Sequence, residues 1–423
     1  MRVLTKDISR YVDKEITVAG WVHRVRDLGG VCFLILRDRS GTLQTVFEKA
    51  PEVTLESVVS ITGKVQANPK APGGCEVVSS SLTLLSAADP ELPIQVNQDP
   101  DKLSIEALLD NRMLSVRNLK VRSIFALQSA ILHYFADFMR SRDFMEIKTS
   151  KLIGSGSEGG TGLFEVAYFD RTVFLAQSPQ LYKQAMVSSG YERVFEIGAA
   201  YRAEKHETPR HLNEYVSLDV EMGFIENDHD LMDLETEILT HLFKKIDEHH
   251  QDVLELFNAS VPSQDAMAHI PRVSYDEAKK IISSEGGKKV FELNHEGERL
   301  LCEWSLREHG ADLVYVHSFP RKKRPFYTYP DGSNTMSFDL IFRGLEITSG
   351  SRRINDYTML LENLPKFGLK SDDMEDYLSV FKYGSPPHGG FAIGLERLTQ
   401  KILNLKNVKE ASLFPRDRNR VRP

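Results

Sequence analysis

Between Glu15 and about Leu85 apolar and polar residues alternate in short runs, ITVAGWVHRVR, VCFLILRDR, LQTVFE, VVSITGKV and CEVV. Asp27-Leu28-Gly29-Gly30, Ser40-Gly41 and Pro72-Gly73-Gly74 break them. A period of two turns one side of each run inward, and the glycine-rich breaks supply the reversals. Five strands in so short a span predict a small closed barrel. Pro90, Pro93 and Pro100 then punctuate a stretch without apolar periodicity, read as a linker over residues 88–110. From Val121 to Arg142 the period changes. Ile124, Leu127, Ile131, Phe135 and Phe138 fall at three- and four-residue steps, which predicts an amphipathic helix opening a second domain.

Beyond that helix, strand-like runs (VFEIGAAYR, YVSLDVEMGF, FDLIFRGLEI) mix with helical segments near Asp230–His249 and Ile354–Leu364, the latter stopped by Pro365. Short links between β runs predict an antiparallel sheet flanked by helices, so the fold class is α+β: a five-stranded OB-fold barrel over residues 1–87, the linker, and a second domain over residues 111–423.

Composition narrows the function. Hydrophobic residues make up 41% of the 423 and charged residues 27%, with no run near the ~20 apolar residues of a membrane helix. The start of the chain, with Arg2, Lys6 and Arg10, has no apolar run of signal type, so a cytoplasmic location is expected. Cys32, Cys75 and Cys302 show no metal-binding spacing and read as buried thiols. The net charge of −7 is no nucleic-acid signature, but basic residues cluster at Arg24, Arg26, Arg37 and Arg39, at Arg321-Lys322-Lys323-Arg324, and from Arg416 to Arg422.

Three segments carry chemistry. RVFEIGAAYRAEKHETPRHLNEYVSLDVEMGF places Arg202, Glu204, Arg210 and His211 around a loop between two strands, where fixed guanidinium groups suit a triphosphate. In Gly344-Leu345-Glu346-Ile347-Thr348-Ser349-Gly350-Ser351-Arg352-Arg353, an extended strand puts Glu346 and Thr348 on one face, and Ser349 near a turn joins Glu346 as a hard oxygen ligand for Mg²⁺. Arg353 then suits pairing with a carboxylate. GFAIGLERL brings close glycines ahead of a helix that Arg397 enters. Neither a P-loop nor a GxGxxG motif occurs, so ATP, if bound, is bound by another design.

Tyr201-Arg202-Ala203-Glu204 resembles motif 2 of the class II aminoacyl-tRNA synthetases, and GFAIGLERL resembles motif 3. Their order and the N-terminal barrel are similar to subclass IIb. Within it, Gly156-Ser157-Glu158-Gly159-Gly160-Thr161 and Gln177-Ser178-Pro179-Gln180-Leu181-Tyr182-Lys183-Gln184 resemble the aspartyl enzymes, and the lack of a large insertion between motifs 2 and 3 resembles their archaeal type. One departure stands out: Ser150 occupies the place of the proline that ends motif 1 at the dimer interface.

The resemblance implies an ATP-dependent ligase that forms aspartyl-adenylate and pyrophosphate with Mg²⁺ as cofactor, then transfers aspartate to the 3′ end of tRNA(Asp). It implies a catalytic set of Arg202, Glu346 and Arg397. Aspartate falls to Glu158, Gln180, Lys183, Arg202, Ser349 and Arg353. ATP falls to Arg202, Glu204, Arg210, His211, Leu212, Glu346, Gly394, Leu395, Glu396 and Arg397, and the metal to Glu346 and Ser349. On the barrel, Arg26, Phe33 and Gln44 fall on anticodon-reading positions. His23 and Pro72 match positions that accompany acceptance of tRNA(Asn) as well. A homodimer is expected, and no membrane partner. The alternatives are a strictly tRNA(Asp)-specific enzyme, a synthetase-shaped protein without catalysis, and an amide-forming ligase on the same catalytic domain; the retained arginines oppose the second and the barrel opposes the third.

Overall fold

The computed structural model describes residues 2–154, 162–205, 207–286 and 293–422. Two compact units divide the chain, Met1–Arg122 and Ser123–Pro423.

In the first unit the strands β1 (Glu15–Asp27), β2 (Cys32–Asp38), β3 (Gly41–Phe47), β4 (Val58–Ala67) and β5 (Cys75–Ser86) close a barrel in the order β1-β2-β3-β5-β4. The period-two pattern explains its core. Val18, Val22, Leu34, Leu36, Leu43, Val59, Ile61, Val65 and Val77 all point inward and are buried. Closure brings backbones into contact: a side chain at Gly20 or Gly63 would collide with the carbonyl of Arg37 or Val78. One member of the early basic cluster is not on the surface. Arg37 is 2% exposed and pairs with Glu56 through two bonds of 2.9 and 2.7 Å, whereas Arg24, Arg26 and Arg39 are exposed. The proline-bearing stretch after β5 is fastened within this unit, with Ile94 and Val96 buried and Asn118 Nδ2 donating to the carbonyls of Val96 and Gln98 at 2.8 and 2.9 Å.

In the second unit, the described residues form an eight-stranded sheet. In chain order its strands are β6 (Met145–Glu146), β7 (Arg193–Tyr201), β8 (Glu214–Gly223), β9 (Arg272–Ser274), β10 (Leu313–His317), β11 (Ser337–Phe342), β12 (Leu345–Arg352) and β13 (His388–Gly394); across the sheet they run β9-β10-β11-β12-β13-β8-β7-β6. The five inner ladders are antiparallel, and the outermost pairs, β9 with β10 and β6 with β7, are parallel. The predicted helix is α1 (Leu119–Ser141). Its Ile124, Leu127, Ile131, Phe135 and Phe138 are buried, and Phe135 meets Phe195 of β7 edge-on at 5.8 Å. A second helix, α2 (Gln180–Met186), follows before β7, and α3 (His229–His249) adds Leu231, Met232, Leu239, Leu242 and Phe243 to the same core. Along β8, Leu218 and Val220 join that core while Tyr215, Ser217 and Asp219 line a cavity on the other face. That alternation sets the site on the sheet.

Candidate active site

The cavity encloses about 290 Å³ over β8, β12 and β13, roofed by the β7–β8 loop and the segment Arg324–Thr328. Gln180, Arg202, Glu204, Arg210, His211, Leu212, Glu346, Ser349, Arg353, Gly394, Glu396 and Arg397 all line it. Two expected residues do not: Lys183 lies buried beneath the wall, and Leu395 packs into the core at the start of α4 (Leu395–Ile402). Glu158, with the Gly156–Thr161 segment, lies outside the described residues.

At one end the polar groups are buried and tied together. Arg353, which follows β12, donates Nε to Glu221 Oε1 at 2.9 Å and Nη2 to Gln180 Oε1 and the Gly390 carbonyl, both at 3.0 Å. Lys183 Nζ reaches Asp219 Oδ1 at 2.8 Å and Glu221 Oε2 at 3.4 Å. At 1% exposure Lys183 is part of the interior and not of the helix surface. Burial alone would push the Glu221 carboxyl up, but Arg353 and Lys183 outweigh it and hold the group below its ordinary value. Gly390 makes the assembly possible, since any side chain there would strike the Glu221 carboxylate and the Val220 carbonyl. A second layer fixes α2: Tyr377 OH donates to Gln184 Oε1 at 3.1 Å, and Gln184 Nε2 meets His388 Nε2 at 3.0 Å. The His388 Nδ1–H serves the Pro386 carbonyl at 2.8 Å, and burial holds the ring below its usual titration range.

The opposite end is more open, and its acids Asp339, Glu346 and Glu298 are matched by Arg324, Arg397 and Arg210. Here the strand geometry corrects the sequence expectation. The β11–β12 register slips between Leu340 and Ile341, so Glu346 faces Ile341 while Thr348 faces Leu340, and Ile347 is the extra residue of a β-bulge. The bulge reverses the alternation. Glu346, Ser349 and Ser351 open into the cavity, whereas Thr348 is 1% exposed beside Glu235 of α3. Ser349 is also not in a turn but in mid-strand, opposite Asp339 of β11. Glu346 keeps 39% of its side chain open to the cavity, yet the close walls, then Asp339 and Glu298, push its carboxyl up to about 7 against the pull of Arg397. Arg397 donates Nη1 to the Glu346 carbonyl at 2.9 Å. Asp339 Oδ1 is buried with no hydrogen-bond partner among the described residues.

The β7–β8 hairpin supplies the remaining cations. Nine facing pairs, from Arg193↔Met222 to Tyr201↔Glu214, hold it straight. Asn213 Nδ2 then clips its loop by donating to the Arg202 and Glu204 carbonyls at 2.7 and 3.3 Å. The Arg202 guanidinium lies 5.5 Å from the Tyr215 ring centre. Arg210 is ion-paired with Glu298, and Glu396 accepts from Val216 N–H, a bond that fastens α4 to β8.

On the barrel, Arg26 faces Phe33 and Gln44 faces Ile35 across adjacent ladders, all on the outward side. Gln44 Nε2 and Asn68 Nδ2 both donate to Glu76 Oε2, at 2.7 and 2.9 Å. His23 is the bulged residue of β1, its ring 3.1 Å from Arg37, and Pro72 opens the exposed turn between β4 and β5. The sequence reading missed Asp219, Glu221, Asp339 and Glu76. Asp219 and Glu221 carried a signal, two acids at i and i+2 inside an otherwise apolar strand.

Among the described residues no helix is long and apolar enough to cross a membrane, and no three His, Cys, Asp or Glu side chains are grouped to hold a metal ion. A family model described as tRNA synthetases class II (D, K and N) matches residues 104–418, and one for the OB-fold nucleic acid binding domain matches residues 16–85. The aspartate–tRNA(Asp/Asn) ligases of Deinococcus radiodurans and Thermus thermophilus are 45% and 46% identical, the alignments covering 100% of this chain and 99% and 100% of theirs. The aspartate–tRNA(Asp) ligase of Pyrococcus horikoshii is 40% identical over 97% of this chain and 96% of its own. Among solved structures, asparaginyl-tRNA synthetase from Pyrococcus horikoshii complexed with asparaginyl-adenylate superposes with a TM-score of 0.92 at 31% identity, covering 100% of both chains. The aspartyl tRNA synthetase from Entamoeba histolytica gives 0.87 at 31% identity, over 100% of this chain and 93% of its own. With a family model matched over most of its length and relatives above 40% identical end to end, the chain belongs to the class II tRNA synthetases of the D, K and N group.

Proposed function

We propose that this chain is an aspartate–tRNA ligase that activates L-aspartate with ATP and charges tRNA(Asp) and tRNA(Asn). The observation that carries the reading is the division of one cavity into a buried cationic end built on Lys183 and Arg353 and an open phosphate end built on Arg202, Arg397, Glu346 and Ser349.

Aspartate differs from asparagine by one negative charge, so Arg353 on the cavity wall and Lys183 buried beneath it favour it, with Gln180 orienting the carboxylate. Asp219, whose Oδ2 has no partner among the described residues, joins Glu158 as acceptor for the substrate ammonium. The α-carboxylate of aspartate is ionised at neutral pH and needs no base. Catalysis is then alignment and charge neutralisation: Arg202 on the α-phosphate, Arg210 and His211 on the outer phosphates, Arg397 on the γ-phosphate and adenine side. Glu204, Leu212, Gly394, Leu395 and Glu396 shape the rest of the nucleotide site. Mg²⁺ would be held by Glu346 and Ser349, to which the orphaned oxygen of Asp339 adds a third hard donor. Bound there, it would supply positive charge to the phosphates.

Residues 1–87 serve as the anticodon-binding domain, 88–110 as its hinge and 111–423 as the catalytic domain. Phe33 stacks an anticodon base that Gln44 and Arg26 read, with Glu76 holding Gln44 in place. His23 and Pro72 carry the acceptance of tRNA(Asn). The enzyme acts as a cytoplasmic homodimer, its α1 and β6 region meeting a second copy with Ser150 in place of the usual proline.

The test is aminoacylation of tRNA(Asp) and tRNA(Asn) transcripts with labelled aspartate, ATP and Mg²⁺. Charging of both is expected. Charging of tRNA(Asp) alone removes the wider specificity, and absence of both charging and aspartate-dependent pyrophosphate exchange removes the enzyme.

A further inference from the structure

The basic run at Arg321–Arg324 divides into different environments. Arg321 Nη2 donates to Asn363 Oδ1 at 3.0 Å, and Lys322 and Lys323 are exposed. Arg324 turns inward instead. Its side chain is 11% exposed, its guanidinium lies 3.7 Å from the centre of the buried Phe319 ring, and it lines the cavity. Its Nη2 stands 2.8 Å from Asp339 Oδ2 and its Nη1 donates to Ser349 Oγ at 3.0 Å. These are two of the oxygen groups assigned above to the divalent cation.

We infer that Arg324 is a displaceable internal counter-cation: it neutralises the Asp339–Ser349 corner in the nucleotide-free enzyme and yields that corner when the divalent cation arrives with ATP. A carboxylate 8% exposed requires a partner, and Arg324 is the cation that reaches it in this structure. A divalent ion held by Ser349 Oγ and the other oxygen of the same Asp339 carboxylate competes with Arg324 for the serine oxygen and repels a guanidinium within a few ångströms in a poorly screened cavity. The side chain therefore leaves as the ion enters. A flat aromatic ring supports the guanidinium from below without fixing it through directional bonds, which suits a group that has to move. The consequence is selectivity in time, since free Mg²⁺ meets an occupied corner while the metal–nucleotide complex brings enough binding energy to open it.

The inference rests on the reading of Asp339, Glu346 and Ser349 as the cation corner, and the experiment separates the two. Binding of Mn²⁺ alone is followed from the paramagnetic resonance of the free ion, with full-length nucleotide-free protein and with a non-hydrolysable ATP analogue. Arg324→Met is expected to bind Mn²⁺ without nucleotide about tenfold or more tightly than the unaltered protein. Arg324→Lys, which keeps the charge, is expected to stay close to the unaltered protein, and Arg324→Met combined with Asp339→Asn to lose the gain. Arg324→Gln gives the same comparison where the methionine variant does not fold. Unchanged or weaker Mn²⁺ binding in Arg324→Met, or a gain that survives Asp339→Asn, overturns the inference alone. If the analogue brings no additional Mn²⁺ to the unaltered protein, or if Asp339→Asn leaves that binding intact, the cation corner falls and the inference with it.

Discussion

The two ends of the cavity solve the burial of charge in opposite ways. At the end proposed for aspartate, Lys183, Asp219, Glu221 and Arg353 are all nearly inaccessible and interlocked by bonds of 2.8–3.4 Å. At the other end Glu346 keeps 39% of its side chain exposed and meets Arg397 only at 3.7 Å. A closed network holds geometry against a substrate that differs from its rival by one group. An open one holds charge in reserve for a ligand that brings its own. Under the proposed function selectivity and catalysis are separated in space, and substitutions should separate them in measurement.

The largest effect is expected from Arg353→Leu. It strands Glu221 in the interior, so stability should fall by about 3–5 kcal/mol in denaturant unfolding and aspartate-dependent pyrophosphate exchange should be lost together with it. Arg202→Ala should lower exchange by about 10²–10³-fold while unfolding shifts by less than about 0.5 kcal/mol, because its side chain is exposed. If both variants lose stability equally, the contrast between the ends is wrong. Phe33→Ala stands outside both ends: it should cost about 1–3 kcal/mol of tRNA affinity, read as a raised KM for tRNA, with exchange unaltered.

The smallest and most discriminating effect is with pH. Burial pushes Glu346 up to about 7, so the anion proposed to hold the metal is present above that value and depleted below it. The Mg²⁺ concentration for half-maximal exchange should rise by about tenfold from pH 8 to pH 6. Glu221 behaves oppositely. Its folded-state value is depressed, so its stabilising contribution is complete above the ordinary glutamate range and is lost only as pH falls through that depressed value. The stability gap between the unaltered protein and Glu221→Gln should stay constant from pH 8 to about 5 and close only in acid.

The barrel, the opening helix and the motif-borne arginines could be read from the sequence because each leaves a local trace: a period of two, a period near 3.6, an arginine beside a polar loop. What escaped was set by pairing between distant strands. Thr348 was placed beside Glu346 because simple alternation demands it, and the bulge at Ile347 that moves it to the far face is defined only against β11. Asp339 hid in FDLIF, where one acid among hydrophobes reads as an edge residue until Ser349 is found opposite. Glu221 and Asp219 looked like strand polarity, since nothing local shows that Lys183 and Arg353 arrive over them from α2 and from beyond β12.

The bonds that close the aspartate end join Arg353 to Glu221 and Gln180 across 132 and 173 positions of chain. Loop closure of that length comes late in folding, after local helices and hairpins have formed. Under the proposed function, local structure alone gives the arginine-bearing hairpin but not the pocket, so recognition of the amino acid reports that the long-range closures have formed.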